Sequence, residues 1–142
     1  MTGSEQKFIP RPKPETADWW DGCRHHELLI QSCTACGHRQ FYPRIICTAC
    51  MSDSLEWKRS SGRGQVITFT ICRRAVSEAY AGDVPYVIAL VRLEEGPTMM
   101  SNIIECNPDS VVSGMPVEVV FEKRTEEITI PQFRPVPTAK PR

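Results

Sequence analysis

The stretch CTACGHRQFYPRIICTAC, residues 33–50, holds two Cys-x-x-Cys pairs separated by ten residues. A thiolate is a soft anionic ligand, and zinc takes four of them in a tetrahedron. Each Cys-x-x-Cys turns as a tight knuckle that aims two sulfurs at one point, and ten residues are enough to go out and back as a hairpin. Gly37 directly follows Cys36 and allows the positive φ that such a turn needs. Cys33, Cys36, Cys47 and Cys50 are therefore expected to hold one zinc ion. Iron of the rubredoxin type uses the same four thiolates. A redox dithiol would sit singly at a helix N-terminus after a strand, and neither pair has that setting. With four protein ligands no position is open for water or substrate, so the metal is expected to be structural and coupled to folding.

Outward from the cysteines, Arg39–Tyr42 reads as a short strand stopped by Pro43, and KRSSGRG (58–64) as a glycine-containing turn. Beyond it the apolar period becomes two. QVITFTICRRA (65–75), VPYVIALVRLEE (84–95), TMMSNIIEC (98–106), MPVEVVFEKRT (115–125) and EITIPQFRP (127–135) read as five strands. NPDSVVSG between the third and fourth reads as a one-turn helix, capped by Asn107 and ended by Gly114. That order is the order of a five-stranded OB-fold barrel.

On the other side of the cysteines, ETADWWDGCRHHELLIQ (15–31) is expected to be helical, as one helix or two short ones, with Thr16 as cap and Gly22 as a weak point. The expected organisation is thus an extended arm over 1–14, a helical segment over 15–32, a zinc ribbon over 33–60, a barrel over 61–135 and a tail over 136–142. Several of the 12 prolines cluster in the two ends, which suits arms rather than core.

The chain of 142 residues is 41% apolar and balances 17 basic against 17 acidic side chains. Residues 33–64 carry five basic groups (Arg39, Arg44, Lys58, Arg59, Arg63) against two acidic ones (Asp53, Glu56), a local charge of about +3. A general nucleic-acid binder needs a larger basic excess. No apolar run reaches the roughly 18–20 residues of a membrane span, and no secretory h-region is visible at the start. A cytoplasmic setting with reduced thiols is expected. Cys23, Cys72 and Cys106 read as buried small apolar residues, and His25, His26 and His38 as surface groups. The pairs Glu94-Glu95 and Glu126-Glu127 fall at turns, where carboxylates are usually solvated. The sequence holds no GxSxG, HExxH, Walker loop or nucleotide fingerprint, so no catalytic residues are assigned.

Taken together, the WW-x-G helix, the two Cys-x-x-Cys motifs, the SGRG entry to the first barrel strand, the VPY start of the second, the EGP turn and the GMPVEVVFE strand resemble the DUF35 family of acyl-CoA-associated zinc-ribbon and OB-fold proteins. The resemblance runs from about Glu15 to Arg134. It implies a mainly β protein with N-terminal helices, a rubredoxin-like zinc ribbon and an OB barrel. It also implies a non-catalytic accessory subunit of a hetero-oligomer. The partner would be a thiolase-fold enzyme (thiolase, acyltransferase or aldolase) or a MaoC-type hydratase, with a coenzyme A (CoA) thioester as shared ligand. On that reading Arg39, Arg44, Lys58 and Arg63 are candidates for the CoA phosphates. Phe41 and Tyr42 are candidates for stacking on its adenine. Trp19 and Trp20 are less suited to reach the ligand. Two other readings stand beside this one: a single-stranded nucleic-acid module, and a thioesterase using Cys23 or a histidine.

Overall fold

The structure is a computed structural model that describes residues 7–137. The start of the expected arm (1–6) and the end of the expected tail (138–142) lie outside the described residues. Three strands form an antiparallel sheet: β1 (Leu29–Cys33), β2 (Arg39–Gln40) and β3 (Leu55–Arg59), in the order β2-β1-β3. Five more close a barrel in the order β4-β5-β6-β8-β7. They are β4 (Arg63–Cys72), β5 (Tyr86–Leu93), β6 (Thr98–Ile103), β7 (Pro116–Lys123) and β8 (Thr129–Pro135). The β4 strand closes the barrel because it pairs with β5 along its length and with β7 through Arg63–Gln65, with an irregularity between Val66 and Thr68. The β6–β8 contact is parallel and short, with Ile103 opposite Phe133. The expected OB barrel is present.

Alternation sets the barrel interior. Val87, Ala89, Val91 and Leu93 of β5 are buried, as are Met99, Ile103, Val117 and Phe133 of the neighbouring strands. Their β5 neighbours Ile88, Leu90 and Arg92 fall on the outer face. Trp19, Cys23, Leu28, Ile30 and Phe41 belong to the same apolar cluster, so helix, ribbon and barrel share one core. Trp19 also donates its indole N–H to the Leu29 carbonyl at 3.0 Å.

The helical segment is shorter than expected. Helix α1 spans only Ala17–Arg24, and Leu29–Cys33 is strand. His25 closes the last turn through its N–H to Asp21 and Gly22, and His26 takes φ 60, which turns the chain out of the helix. Leu29–Cys33 then pairs on both edges, with β2 and β3, and that tertiary pairing overrides local helical periodicity. Thr16 precedes the helix but does not cap it, because its Oγ1 instead accepts the Lys13 N–H at 2.8 Å. His26 is not merely a solvated histidine. Its ring stacks on Phe121 of β7 at 5.1 Å and 14°.

The turn read over 58–64 is shortened from both sides, with β3 running to Arg59 and β4 starting at Arg63. Gly62 stands in this turn at φ +82, and a Cβ there would lie 2.5 Å from Val119 Cγ1. The carboxylates of Glu94 and Glu95 are not simply solvated either. Glu95 accepts from Ser60 Oγ at 2.7 Å and the Ser61 N–H at 2.8 Å, while Glu94 accepts from Ser61 Oγ and Arg63 Nε. Partial burial acts to raise the Glu95 pKa. The hydrogen bonds from Ser61 and Ser60 outweigh it and hold the carboxyl below its ordinary value. This clamp joins ribbon to barrel. Residues 108–110 form the expected one-turn helix, with Asn107 Oδ1 accepting the Asp109 N–H.

Candidate metal centre

The first knuckle hangs from the end of β1. Cys33 closes the strand, the Gly37 N–H returns to the Cys33 carbonyl at 2.8 Å, and Gly37 sits at φ +80. The second knuckle repeats the turn between β2 and β3. There the Met51 N–H returns to the Cys47 carbonyl at 2.9 Å, and Met51 holds φ 66 without a glycine's freedom. The Cys33 and Cys50 sulfurs lie 3.6 Å apart and those of Cys36 and Cys47 3.7 Å apart. All four ligand atoms fall within 4.8 Å of one another. A tetrahedron of zinc–sulfur bonds has edges of about 3.8 Å, so the four thiols fit the metal. The Cys50 N–H, the strongest influence, and the Ala49 N–H point at Cys47 Sγ and hold its thiol down at about 6 against the effect of burial. Zinc bound by this set cross-links two knuckles, and its coordination is filled by protein.

Two buried glutamines that the sequence reading passed over fix the loop leading into the second knuckle. Gln31 on β1 donates to the Arg44 carbonyl and accepts the Arg44 N–H, both at 2.9 Å. Gln40 on β2 donates to Gln31 Oε1 at 2.9 Å and accepts the Thr48 N–H at 3.0 Å. His38 completes the chain through Thr48 Oγ1 at 3.1 Å. Polar residues in short strands give little signal in a sequence, and only the pairing of β1 with β2 turns them inward.

The other expected contact residues are not gathered in one cleft. Arg39 donates to the Glu95 carbonyl, Arg63 pairs with Glu94, and Lys58 pairs with Glu56 on β3. Phe41 is 7% exposed and makes edge-type contacts with Trp19 and Tyr42, so most of its ring is packed in the core, while it also borders the groove beside Tyr42. Arg44 is exposed and Tyr42 is 50% exposed. Tyr42 lines an apolar groove of about 390 Å³ with Trp19, Trp20, Pro43 and Met100. The two tryptophans, set aside in the sequence reading, thus border a cleft. Cys23 is fully buried, and burial pushes its thiol up to about 12, which removes it as a nucleophile. No helix among the described residues is long and apolar enough to cross a membrane.

Residues 20–56 match the ChsH2 rubredoxin-like zinc ribbon domain, and residues 57–122 match the ChsH2 C-terminal OB-fold domain. The chain is 37% identical over 118 residues to a DUF35 domain-containing scaffold protein of Methanothermobacter thermautotrophicus, covering 80% of this chain and 86% of that one. It is 33% identical over 129 residues to a probable enoyl-CoA hydratase alpha subunit of Thermomonospora curvata. That match takes in 88% of this chain but spans only 40% of the relative's length. Among solved structures, a chain of the Ltp2-ChsH2(DUF35) aldolase superposes with a TM-score of 0.80 at 31% identity, over 89% of this chain and 98% of that one. With its four-cysteine ribbon, its closed OB barrel and these matches, the chain belongs to the DUF35 family.

Proposed function

We propose that this chain is a non-catalytic, zinc-bearing accessory subunit of an acyl-CoA-metabolising enzyme. Its partner is a thiolase-like protein, and the two share the CoA thioester. The observation that carries the reading is the similarity, over nearly the whole of the compared chain, to the DUF35 component of an aldolase that is named for two proteins. The hydratase alpha subunits among its relatives point to the same metabolism of CoA thioesters. Exposed apolar side chains support a covered surface: Tyr42 and Met100 are each half exposed or more and border one apolar groove, which suits a protein contact. The burial of Cys23 speaks against a thiol-dependent hydrolase. Arg73, Arg124 and Arg134 are each paired with a carboxylate, a poor arrangement for a nucleic-acid backbone. Of the six expected CoA contacts, Arg39, Arg44 and Tyr42 offer exposed surface with no carboxylate partner among the described residues.

The test is reconstitution. The thiolase-like enzyme that co-purifies with this chain is assayed for acyl-CoA turnover with and without the zinc-loaded chain. Activity that appears only on mixing supports the reading. A fully active enzyme that does not bind this chain overturns it.

A further inference from the structure

Residues 7–12 of the expected arm lie across the barrel. Ile9, Pro10 and Pro12 border a cleft with residues 125–128 of the β7–β8 turn. Lys7 reaches the β4–β5 connection, where its Nζ pairs with the Asp83 carboxylate and lies 5.6 Å from the centre of the Tyr80 ring. The Phe8 N–H is donated to the Tyr80 hydroxyl at 3.3 Å. These two connections, with the second and third barrel strands, form the face on which OB barrels take ligands. A groove of about 650 Å³ opens there, and Lys7 and Phe8 line it together with Val76, Tyr86, Asn102 and Cys106. Gln132 lies buried behind it, with no hydrogen-bond partner for its Oε1 among the described residues.

The way the arm is held makes it removable. Pro10, Pro12 and Pro14 have no N–H to give to a strand ladder, so the arm lies on the barrel without joining its sheet. The side chains of Lys7 and Asp83 keep 32% and 43% of their surface in water, and an ion pair so placed is weak and screened by salt. The Phe8 ring is 77% exposed, so the residue that could have anchored the arm by burial does not. The prolines keep the arm extended when it is free, which lowers the entropy lost when it docks again. A segment held by exposed polar contacts opens locally while the rest of the fold stays intact.

We propose that residues 7–12 are a releasable strap over the ligand face of the barrel, fastened by Lys7 to Asp83 and Tyr80. Fastened, it ties the β4–β5 connection to the β7–β8 turn and narrows the entrance to the groove. Released, it uncovers the Tyr80 ring and the Asp83 carboxylate and frees the two connections to move independently. Access to the groove is thereby set by an ion pair. The inference goes beyond the accessory-subunit reading and does not depend on it.

Cys106 is a reporter already in place, since it lines the groove as a free, half-buried thiol. The test compares its modification in the zinc-loaded full chain by N-ethylmaleimide and by a maleimide carrying a bulky polymer, read by peptide mass spectrometry. The ratio of the two rates follows the width of the entrance, because ionisation of the thiol affects both alike. In Lys7→Ala and in Asp83→Asn the bulky reagent should gain about threefold on the small one, the order of opening expected when a surface ion pair is lost. Wild type should show a similar gain as salt rises from about 0.05 to 0.5 M, and Asp83→Asn should show little further gain. Cys23, fully buried, should stay unmodified throughout, which separates release of the arm from unfolding. Where a variant exposes Cys23, the wild-type salt series decides. Ratios unchanged in both variants, or a wild-type ratio indifferent to salt, overturn the proposal.

Discussion

Replacing Gln40 by methionine keeps the volume of a buried side chain and deletes its amide. The Thr48 N–H then loses its acceptor, at 3.0 Å, and the Ile46 carbonyl loses a donor, at 3.3 Å. Gln31 keeps both bonds to Arg44, so the damage falls on the second half of the loop that delivers Cys47. An orphaned, partly buried backbone group costs about 1–3 kcal/mol, and the two together cost roughly 2–3 kcal/mol after allowance for their partial exposure. The cost falls on the arrangement that holds Cys47 and Cys50 in place, so it appears in metal binding. At about 1.4 kcal/mol per factor of ten, zinc affinity should fall roughly 30- to 100-fold, a range typical of residues that orient metal ligands. Competition with a chromophoric chelator measures it directly. A Gln40→Met protein that binds zinc within threefold of wild type would refute the claim that the glutamine pair organises the second knuckle.

Three further outcomes are expected. Gly62→Ala combines a positive φ of +82 with a Cβ 2.5 Å from Val119 Cγ1, and should destabilise by about 2–4 kcal/mol; an unchanged urea midpoint would contradict this. Cys23, fully buried with its thiol pushed up to about 12, should escape alkylation in the folded zinc-loaded protein and react only after denaturation, as read by peptide mass spectrometry. For Glu95 the folded pKa is depressed, so its stabilisation is complete above the unfolded carboxylate value of about 4.3. It is lost as pH falls through the lower folded value. The difference in melting temperature between wild type and Glu95→Gln should therefore be widest near neutral pH and narrow through the acid range; a gap that widens toward acid would reverse the sign of the argument.

The two features closest to the function were open to reading from local spacing. Four cysteines in paired Cys-x-x-Cys spacing constrain the metal chemistry without any knowledge of the fold. Five alternating segments with a capped turn after the third constrain the barrel, because each strand shows one face to a core and one to solvent. What escaped the sequence depends on contacts between distant residues. Leu28, Leu29 and Ile30 carry enough apolar character for a helix or a strand, and only the pairing of Leu29–Cys33 with Arg39–Gln40 on one edge and Leu55–Arg59 on the other decides for strand from Leu29 on. Glu95 looks like an ordinary turn carboxylate until Ser60 and Ser61 are brought across from 34 and more residues away. Nothing local in the sequence shows that Phe41 packs against Trp19, 22 positions earlier in the chain, as well as against its neighbour Tyr42. The unsatisfied oxygen of Gln132 has no trace in the sequence at all, since it arises from an amide orientation imposed by Val87 through Asn102.

The most direct test of the account is a gentle pull-down of the tagged chain from its native host, with mass spectrometry of what accompanies it and metal analysis of the same sample. The account predicts a thiolase-fold enzyme in stoichiometric amount and about one zinc per chain, held by four thiolates. Recovery of the chain alone, or with nucleic acid in place of an acyl-CoA enzyme, would contradict it.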